Sequence, residues 1–271
     1  MDTPTLARDI GPQPAATPTD TIGRPGAAKP RSSEMHPGPG FRLRHTIDRP
    51  SPDVIERLRR FPTPPVSDQL NRLFTMSTAI QLQTDPGHRI VGPAVTVKVF
   101  PGDNLMVHKS LDIAKPGDIL VVDASGSSLT AVLGDLVSTK ARHRGIAGVV
   151  VDGLIRDLPA IQALGDFPVF ARGVTPIGPL HRGPGEINYP VSAGGIVVNP
   201  GDLITGDLNG VVVVPQDVAP VVLQRLEIRA AIEAEYEQAV ARGEFSNAWV
   251  DDLLDAAGVD PYLGDPVSLP S

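Results

Sequence analysis

The chain contains no cysteine. Disulfides, thiolate nucleophiles and cysteine-ligated zinc are therefore excluded as sources of stability or chemistry. Aromatic residues are scarce at 4%, with a single Trp, so a core must be aliphatic, built from the Val, Ile, Leu and Ala that dominate the 41% hydrophobic content. Positive charge is also in short supply. With a formal net charge of -7 the chain lacks the dense cationic face that phosphate backbones require, and no nucleic-acid partner is expected. No apolar run approaches the roughly 18 residues of a membrane span, so no membrane partner is expected either. The start of the chain carries no apolar signal segment, which makes the cytoplasm the default location.

What is present divides along the chain. Its 271 residues allow one large domain or two small ones. Residues 1–40 are rich in Pro, Gly, Thr and Ala without a sustained apolar period, and read as a disordered tail. Asp2, Asp9 and Asp20 argue against a transit peptide there. Residues 41–257 read as the folded domain and 258–271 as a flexible tail.

Within the domain, Ser51-Pro52 opens a helix over 51–60, and a second short helix is expected over Asp68 to Phe74. Gly92 to Phe100 alternates as a strand, and Leu105 to Ala114 is helical. A βαβ unit follows: strand 117–123, helix 129–144 stopped by Gly145, and strand 146–151. A short helix over 158–164 and a strand over 169–171 come next. Residues 173–215 then form a Gly- and Pro-rich β flank, with short strands at 195–198 and 211–214 and a turn at Asp207–Gly210. A long helix spans 219–242.

Parallel βαβ sheets gather ligands outside the carboxyl ends of their strands, and GVVVDGLIRD, residues 148–157, delivers Arg156 and Asp157 there. Gly134, Asp135, Leu136 and Val137 lie on the preceding helical stretch and share the crevice. An arginine holds a carboxylate bidentately and a neighbouring carboxylate holds a divalent cation, a pair suited to an α-keto acid. The alternative is structural, with Asp157 capping the helix that begins at Leu158-Pro159 and Arg156 solvated. Glu233 continues the stripe Leu226, Ala230 at helical spacing; either the stripe ends there in solvent or the helix presents a carboxylate to another subunit. His108 and His143 have no partner at ligand spacing and read as exposed or internally satisfied. Nothing marks Lys98, Lys109 or Lys140 as a desolvated Schiff-base lysine. Glu186 is a turn residue or a support for the site.

Five segments carry a wider likeness: VKVFPGDNLMVHKSLDIAKPGDILVVDASG (97–126), GDLVSTKARHRGIAGVVVDGLIRD (134–157), FPVFARGVTPIGP (167–179), GEINYPVSAGGIVVNPGD (185–202) and GDLNGVVVVP (206–215). Through them, over roughly Thr63 to Arg242, the chain resembles the RraA-like family, which includes the 4-hydroxy-4-methyl-2-oxoglutarate and 4-carboxy-4-hydroxy-2-oxoadipate aldolases. The resemblance implies an α/β fold of swivelling-domain type, a mixed sheet with a βαβ core and a β-rich flank. It implies that Arg156 and the backbone of Gly134–Val137 contact an oxo-acid substrate, and that Asp157 holds Mg²⁺ or Mn²⁺. Asp135 stands where those enzymes carry an acid that moves a proton through water, and Glu233 near an acid supplied by a neighbouring subunit of a homotrimer or homohexamer.

The activity so implied is metal-dependent pyruvate aldolase chemistry on a 4-hydroxy-2-oxo diacid, with oxaloacetate decarboxylation beside it. Other members of the family bind and inhibit a ribonuclease, which makes a non-catalytic regulator the competing expectation. A methyltransferase label used in the family has no counterpart here, because no glycine-rich cofactor turn followed by a ribose-binding acid is present.

Overall fold

The computed structural model describes residues 34–259, so both expected tails lie almost wholly outside the described residues. In chain order the elements are β1 (Phe41–Leu43), α1 (Pro52–Leu58), α2 (Thr63–Gln69), β2 (Gln81–Leu82), β3 (Ile90–Val99), α3 (Leu105–Ser110), β4 (Ile119–Asp123), β5 (Ala131–Leu133), α4 (Asp135–His143), β6 (Gly148–Ile155), α5 (Leu158–Gln162), β7 (Val169–Val174), β8 (Gly185–Ile187), β9 (Val191–Ala193), β10 (Ile196–Val198), β11 (Leu203–Asp207), β12 (Gly210–Val214), α6 (Ala219–Ala241) and α7 (Ala248–Ala256).

The strands β3, β4, β6 and β7 lie side by side and parallel, the centre of a mixed sheet ordered β1-β8-β3-β4-β6-β7-β2. Their valine-rich runs suit burial on both faces. Leu120, Val122, Val149 and Val151 face one way, into a cluster with Val107 of α3, Val137 and Ala141 of α4 and Ile161 of α5. Val121, Val150 and Phe170 face the other way, onto the β flank formed by β9 to β12. Each such side chain contributes about 1.5–3 kcal/mol by leaving water, so the period of two in these strands dictates which side carries helices and which carries hairpins. A third cluster packs α1, α2 and the first turns of α6 against β11 and β12 through Leu58, Val66, Val212, Val222 and Leu226. The α/β fold with a βαβ core and a β-rich flank is thus observed.

Local differences from the expected elements have clear causes. Ser51 caps α1 as expected, accepting from the N–H of Val54 at 3.4 Å. The next helix is Thr63–Gln69, not Asp68 to Phe74. Pro64 and Pro65 suit a first turn, where a missing N–H costs nothing, while Asn71 and Arg72 have φ of 54° and 65° and cannot continue a helix. The stretch 129–144 is not one helix. Ala131–Leu133 is instead a buried strand pairing with the end of β6, Gly134 is extended, and α4 starts at Asp135. The helix after Asn104 stops at Ser110, before Pro116.

Candidate active site

The strand β5 decides the geometry of the site. Arg156 N donates to Leu133 O at 3.0 Å, which fastens the residue after β6 to the residue before Gly134. The two loops that follow β5 and β6 therefore run together. Arg156 Nε lies 3.2 Å from Asp157 Oδ2, each side chain 40% exposed. A Cβ on Gly134 would overlap Asp157 Oδ2 and come within 2.9 Å of Arg156 Cγ, and one on Gly178 would overlap Arg156 Nη1. Arg156 is thus threaded between two glycine backbones, a placement no other residue type at 134 or 178 would leave undisturbed.

Asp157 occupies the position before α5, yet its side chain makes no capping hydrogen bond. Its backbone is left-handed, φ 57° and ψ 34°, which costs a non-glycine residue about 1–3 kcal/mol and persists only where the surroundings impose it. No protein donor among the described residues hydrogen-bonds its carboxylate, which is turned to Gly134 and Arg156. The capping alternative therefore fails. Proline at the start of α5 supplies the helix signal without help from the aspartate side chain.

A cavity of about 270 Å³ opens beside this pair, lined by Asn104, His108, Leu133, Gly134, Asp135, Leu136, Val137, Arg156, Pro179 and His181. The first turn of α4 forms one wall. Ser138 locks that turn by donating both N–H and Oγ–H to Gly134 O, at 3.1 and 2.9 Å. Asp135 Oδ1 accepts from Leu136 N at 2.7 Å, whereas the N–H groups of Asp135 and Val137 have no protein acceptor among the described residues. Free N–H groups at the positive end of a helix favour an anion. Asp157 is joined to this wall through Arg156 and is not itself part of the lining.

A family model, Aldolase/RraA of the RraA-like group, matches residues 63–213. The chain belongs to the RraA-like family. A relative from Halalkalibacterium halodurans is 43% identical over 189 residues, covering 70% of this chain and 89% of that protein; its assigned name, 4-hydroxy-4-methyl-2-oxoglutarate aldolase, is itself provisional. Among solved structures, an uncharacterized protein from Pseudomonas syringae pv. tomato superposes with TM-score 0.66 at 29% identity, covering 73% of this chain and 97% of that one. Streptomyces coelicolor RraAS2, described as an unusual member of the RNase ES inhibitor RraA protein family, superposes with TM-score 0.65 at 31% identity, covering 71% and 99%.

In this RraA-like chain the structure gathers Gly134, Asp135, Leu136, Val137 and Arg156 around one cavity, with Asp157 adjoining. Glu233 is not brought there within the chain. It sits on α6, where its carboxylate accepts from Arg229 Nε at 2.7 Å, and the apolar stripe before it stops being buried at Leu226, with Ala230 exposed. Among the described residues no lysine lines the cavity: Lys98 Nζ is bound to the buried Asp123 at 2.6 Å, and Lys109 pairs with Asp112 at 3.3 Å. Glu186 is an anchor of β8, accepting from Gly40 N and from Arg42. His143 is exposed on α4, as expected, but His108 lines the cavity with Asn104, Pro179 and His181, none of which stood out as a site residue. One signal existed, since Asn104 and His108 stand four residues apart and share a helical face. His181 had none, because it arrives on a loop from elsewhere in the chain.

Proposed function

We propose that this RraA-like chain is an aldolase that releases pyruvate from a 4-hydroxy-2-oxo diacid such as 4-hydroxy-4-methyl-2-oxoglutarate. A divalent cation on Asp157 and oxaloacetate decarboxylation as a side activity complete the proposal. The observation that carries it is the strained Asp157, with no capping hydrogen bond from its side chain, standing beside Arg156 next to a cavity walled on that side by a helix N-terminus.

The residues fit a hard cation. Asp157 offers oxygen donors that no protein group hydrogen-bonds, and no cluster of three or more His, Cys, Asp or Glu occurs among the described residues. That suits Mg²⁺ or Mn²⁺, which binds through one or two carboxylates and leaves its other positions to water and substrate oxygens. When bound there, the ion supplies Lewis-acid polarisation of the 2-oxo group.

The remaining work falls to this chain's own groups. Arg156 holds the substrate's 1-carboxylate with its fork of N–H donors. Asp135, through a water, takes the proton of the 4-hydroxyl. The C3–C4 bond then breaks, its electrons pass to C3 and the 2-oxo oxygen, and pyruvate leaves as its enolate before protonation at C3. Arg156 and the N–H groups of Asp135 and Val137 stabilise that negative charge, an effect worth about 2.7–4 kcal/mol per preorganised donor. Loss of CO₂ from oxaloacetate gives the same enolate. Assembly as a homotrimer or homohexamer would bring Glu233 to a neighbour's cavity as a further acid.

Pyruvate release over a panel of 4-hydroxy-2-oxo acids tests the reading, with wild type beside Arg156→Ala and Asp157→Ala. Release that EDTA abolishes and Mg²⁺ restores, and that both variants lose while folded, supports it. A borohydride-trapped adduct with pyruvate would assign a Schiff-base aldolase instead. The likeness to a structure described with ribonuclease inhibitors favours one rival, a binding regulator; inhibition of a ribonuclease with no pyruvate released from any substrate would establish that role.

A further inference from the structure

The second wall of the cavity is formed by Asn104, which precedes α3, by His108 in the last turn of α3, and by Pro179 and His181 on the loop that follows β7. The wall is built rigidly. Leu180 N donates to Gly102 O at 2.7 Å, Asn104 N donates to Leu180 O at 3.0 Å, and Arg182 N donates to Asp103 Oδ2 at 2.5 Å. Asp103, only 3% exposed, also accepts from Leu105 N at 2.8 Å, so its carboxylate is consumed in holding the loop to the helix. The two imidazoles meet edge to face, with centroids 5.6 Å apart at 69°.

His181 is oriented further by a 2.6 Å hydrogen bond between Nδ1 and Asn104 Oδ1. With Nδ1–H donating to that carbonyl oxygen, the Nε2–H of the imidazolium form is the group left to donate to an anionic ligand. Burial, with smaller contributions from the nearby Lys140 ammonium and from His181, pushes the His108 imidazole below its ordinary value. Lys140 approaches this wall from α4. Among the described residues Asp135 is the single acid in the lining, and it belongs to the opposite wall.

An elongated acid entering the cavity would thus find N–H donors at both ends. The geometry points to His108 and His181 as the receptor for the distal carboxylate of a dicarboxylic substrate, while Arg156 and the α4 N-terminus hold the proximal one. The inference rests on the aldolase reading and deepens it: the site selects 2-oxo diacids over the monoacids of the same chemistry. The two histidines act here as specificity residues, outside the bond-breaking step.

The test compares kcat/KM for 4-hydroxy-4-methyl-2-oxoglutarate with that for 4-hydroxy-2-oxopentanoate, which lacks the distal carboxylate. A hydrogen bond to a charged group is worth about 1.5–3 kcal/mol, so His181→Leu should raise KM for the diacid at least about tenfold, with little change in kcat and none for the monoacid. His181→Gln, whose amide N–H reaches towards the Nε2 position, should recover most of the preference; a merely structural histidine would leave Leu and Gln variants alike. His108→Leu should reproduce the KM effect. An unchanged ratio in folded variants overturns the inference.

If wild type releases pyruvate from neither compound, the aldolase reading fails, and calorimetric binding of 2-oxoglutarate against 2-oxobutyrate decides this point separately. Tighter binding of the diacid that His181→Leu removes would sustain the receptor. Equal binding of the two would end it.

Discussion

Gly134 faces Asp157 Oδ2 with no space for a methyl group between them, and the same missing methyl would press on Arg156 Cγ at 2.9 Å. Gly134 itself is extended, with φ -145°, so alanine is tolerable to its backbone and the clash alone sets the outcome. Gly134→Ala should displace both functional side chains by a fraction of an ångström or more. A misplacement of about 1 Å costs on the order of 10²-fold in rate, so kcat/KM for pyruvate release should fall by about that factor. The thermal midpoint should move little, because the displaced side chains are half exposed; a variant with full activity would contradict the close approach.

The left-handed backbone of Asp157 makes the site costly to the fold. Glycine adopts φ 57° without the penalty of about 1–3 kcal/mol that aspartate bears there, against roughly 0.4–1 kcal/mol of extra unfolded-chain entropy. Asp157→Gly should therefore be as stable as wild type in urea, or more so by about 1 kcal/mol, while losing pyruvate release. Clear destabilisation would mean that the aspartate side chain supports the fold.

Across the carboxyl ends of β3, β4, β6 and β7 runs a ladder of alternating pairs: Lys98 on Asp123, and Arg172 on Asp152. Both acids are buried, and each also accepts from the β9–β10 hairpin, Asp123 from Ser192 N at 3.2 Å and Asp152 from Gly194 N at 2.9 Å. Removing Asp152 leaves a buried N–H with no acceptor and strips the partner from Arg172. Asp152→Ala should cost about 1–3 kcal/mol in chemical denaturation, and Asp152→Asn, which keeps an acceptor, clearly less.

Much of this was readable from local chemistry. The valine runs of β4 and β6, the Asp207–Gly210 turn and the long α6 each follow from period, turn residues and caps that act within a few positions. Arg156 and Asp157 were readable for the same reason, since they end a strand whose pattern is strong. The division of 129–144 was not. Ala131, Val132 and Leu133 satisfy a helical period equally well, and only pairing with β6, some 20 residues on, makes them a strand. His181 illustrates the same limit, because its proximity to His108 depends on Asp103 capturing Arg182 N, 79 residues away in sequence.

Glu186 ties β8 to β1 through Arg42, and hydrogen bonding to that guanidinium, against the opposing pull of burial, holds its carboxyl below the ordinary 4.5. A carboxyl depressed in the folded state stabilises the fold above the unfolded value and loses that contribution as pH falls through the folded value. Wild type and Glu186→Gln should therefore differ in stability by a constant amount above about pH 5, draw together as pH falls from the unfolded value near 4.5, and stop changing relative to each other only below the lower folded value. The arginine side chain is 44% exposed, so high salt should narrow the gap. Denaturation midpoints from pH 3 to 8, on the order of one per pH unit, would reveal a gap that instead widens in acid.

Arg156 separates charge from shape as the basis of the site. Its Nε is beside Asp157, its Nη1 passes close to Gly178, and its backbone N–H is used by Leu133 O, so the guanidinium plane is fixed in orientation. Lysine at this position keeps the positive charge but offers a mobile point donor in place of a planar fork. If charge alone mattered, Arg156→Lys would retain most activity. The glycine-bounded slot argues for the fork: Arg156→Lys should lower kcat/KM by about 10²-fold, nearly as far as Arg156→Ala, while remaining folded because the side chain is 40% exposed. A lysine variant within about threefold of wild type would show that the pairing with Asp157 is electrostatic only, and that Gly134 and Gly178 are small for some other reason.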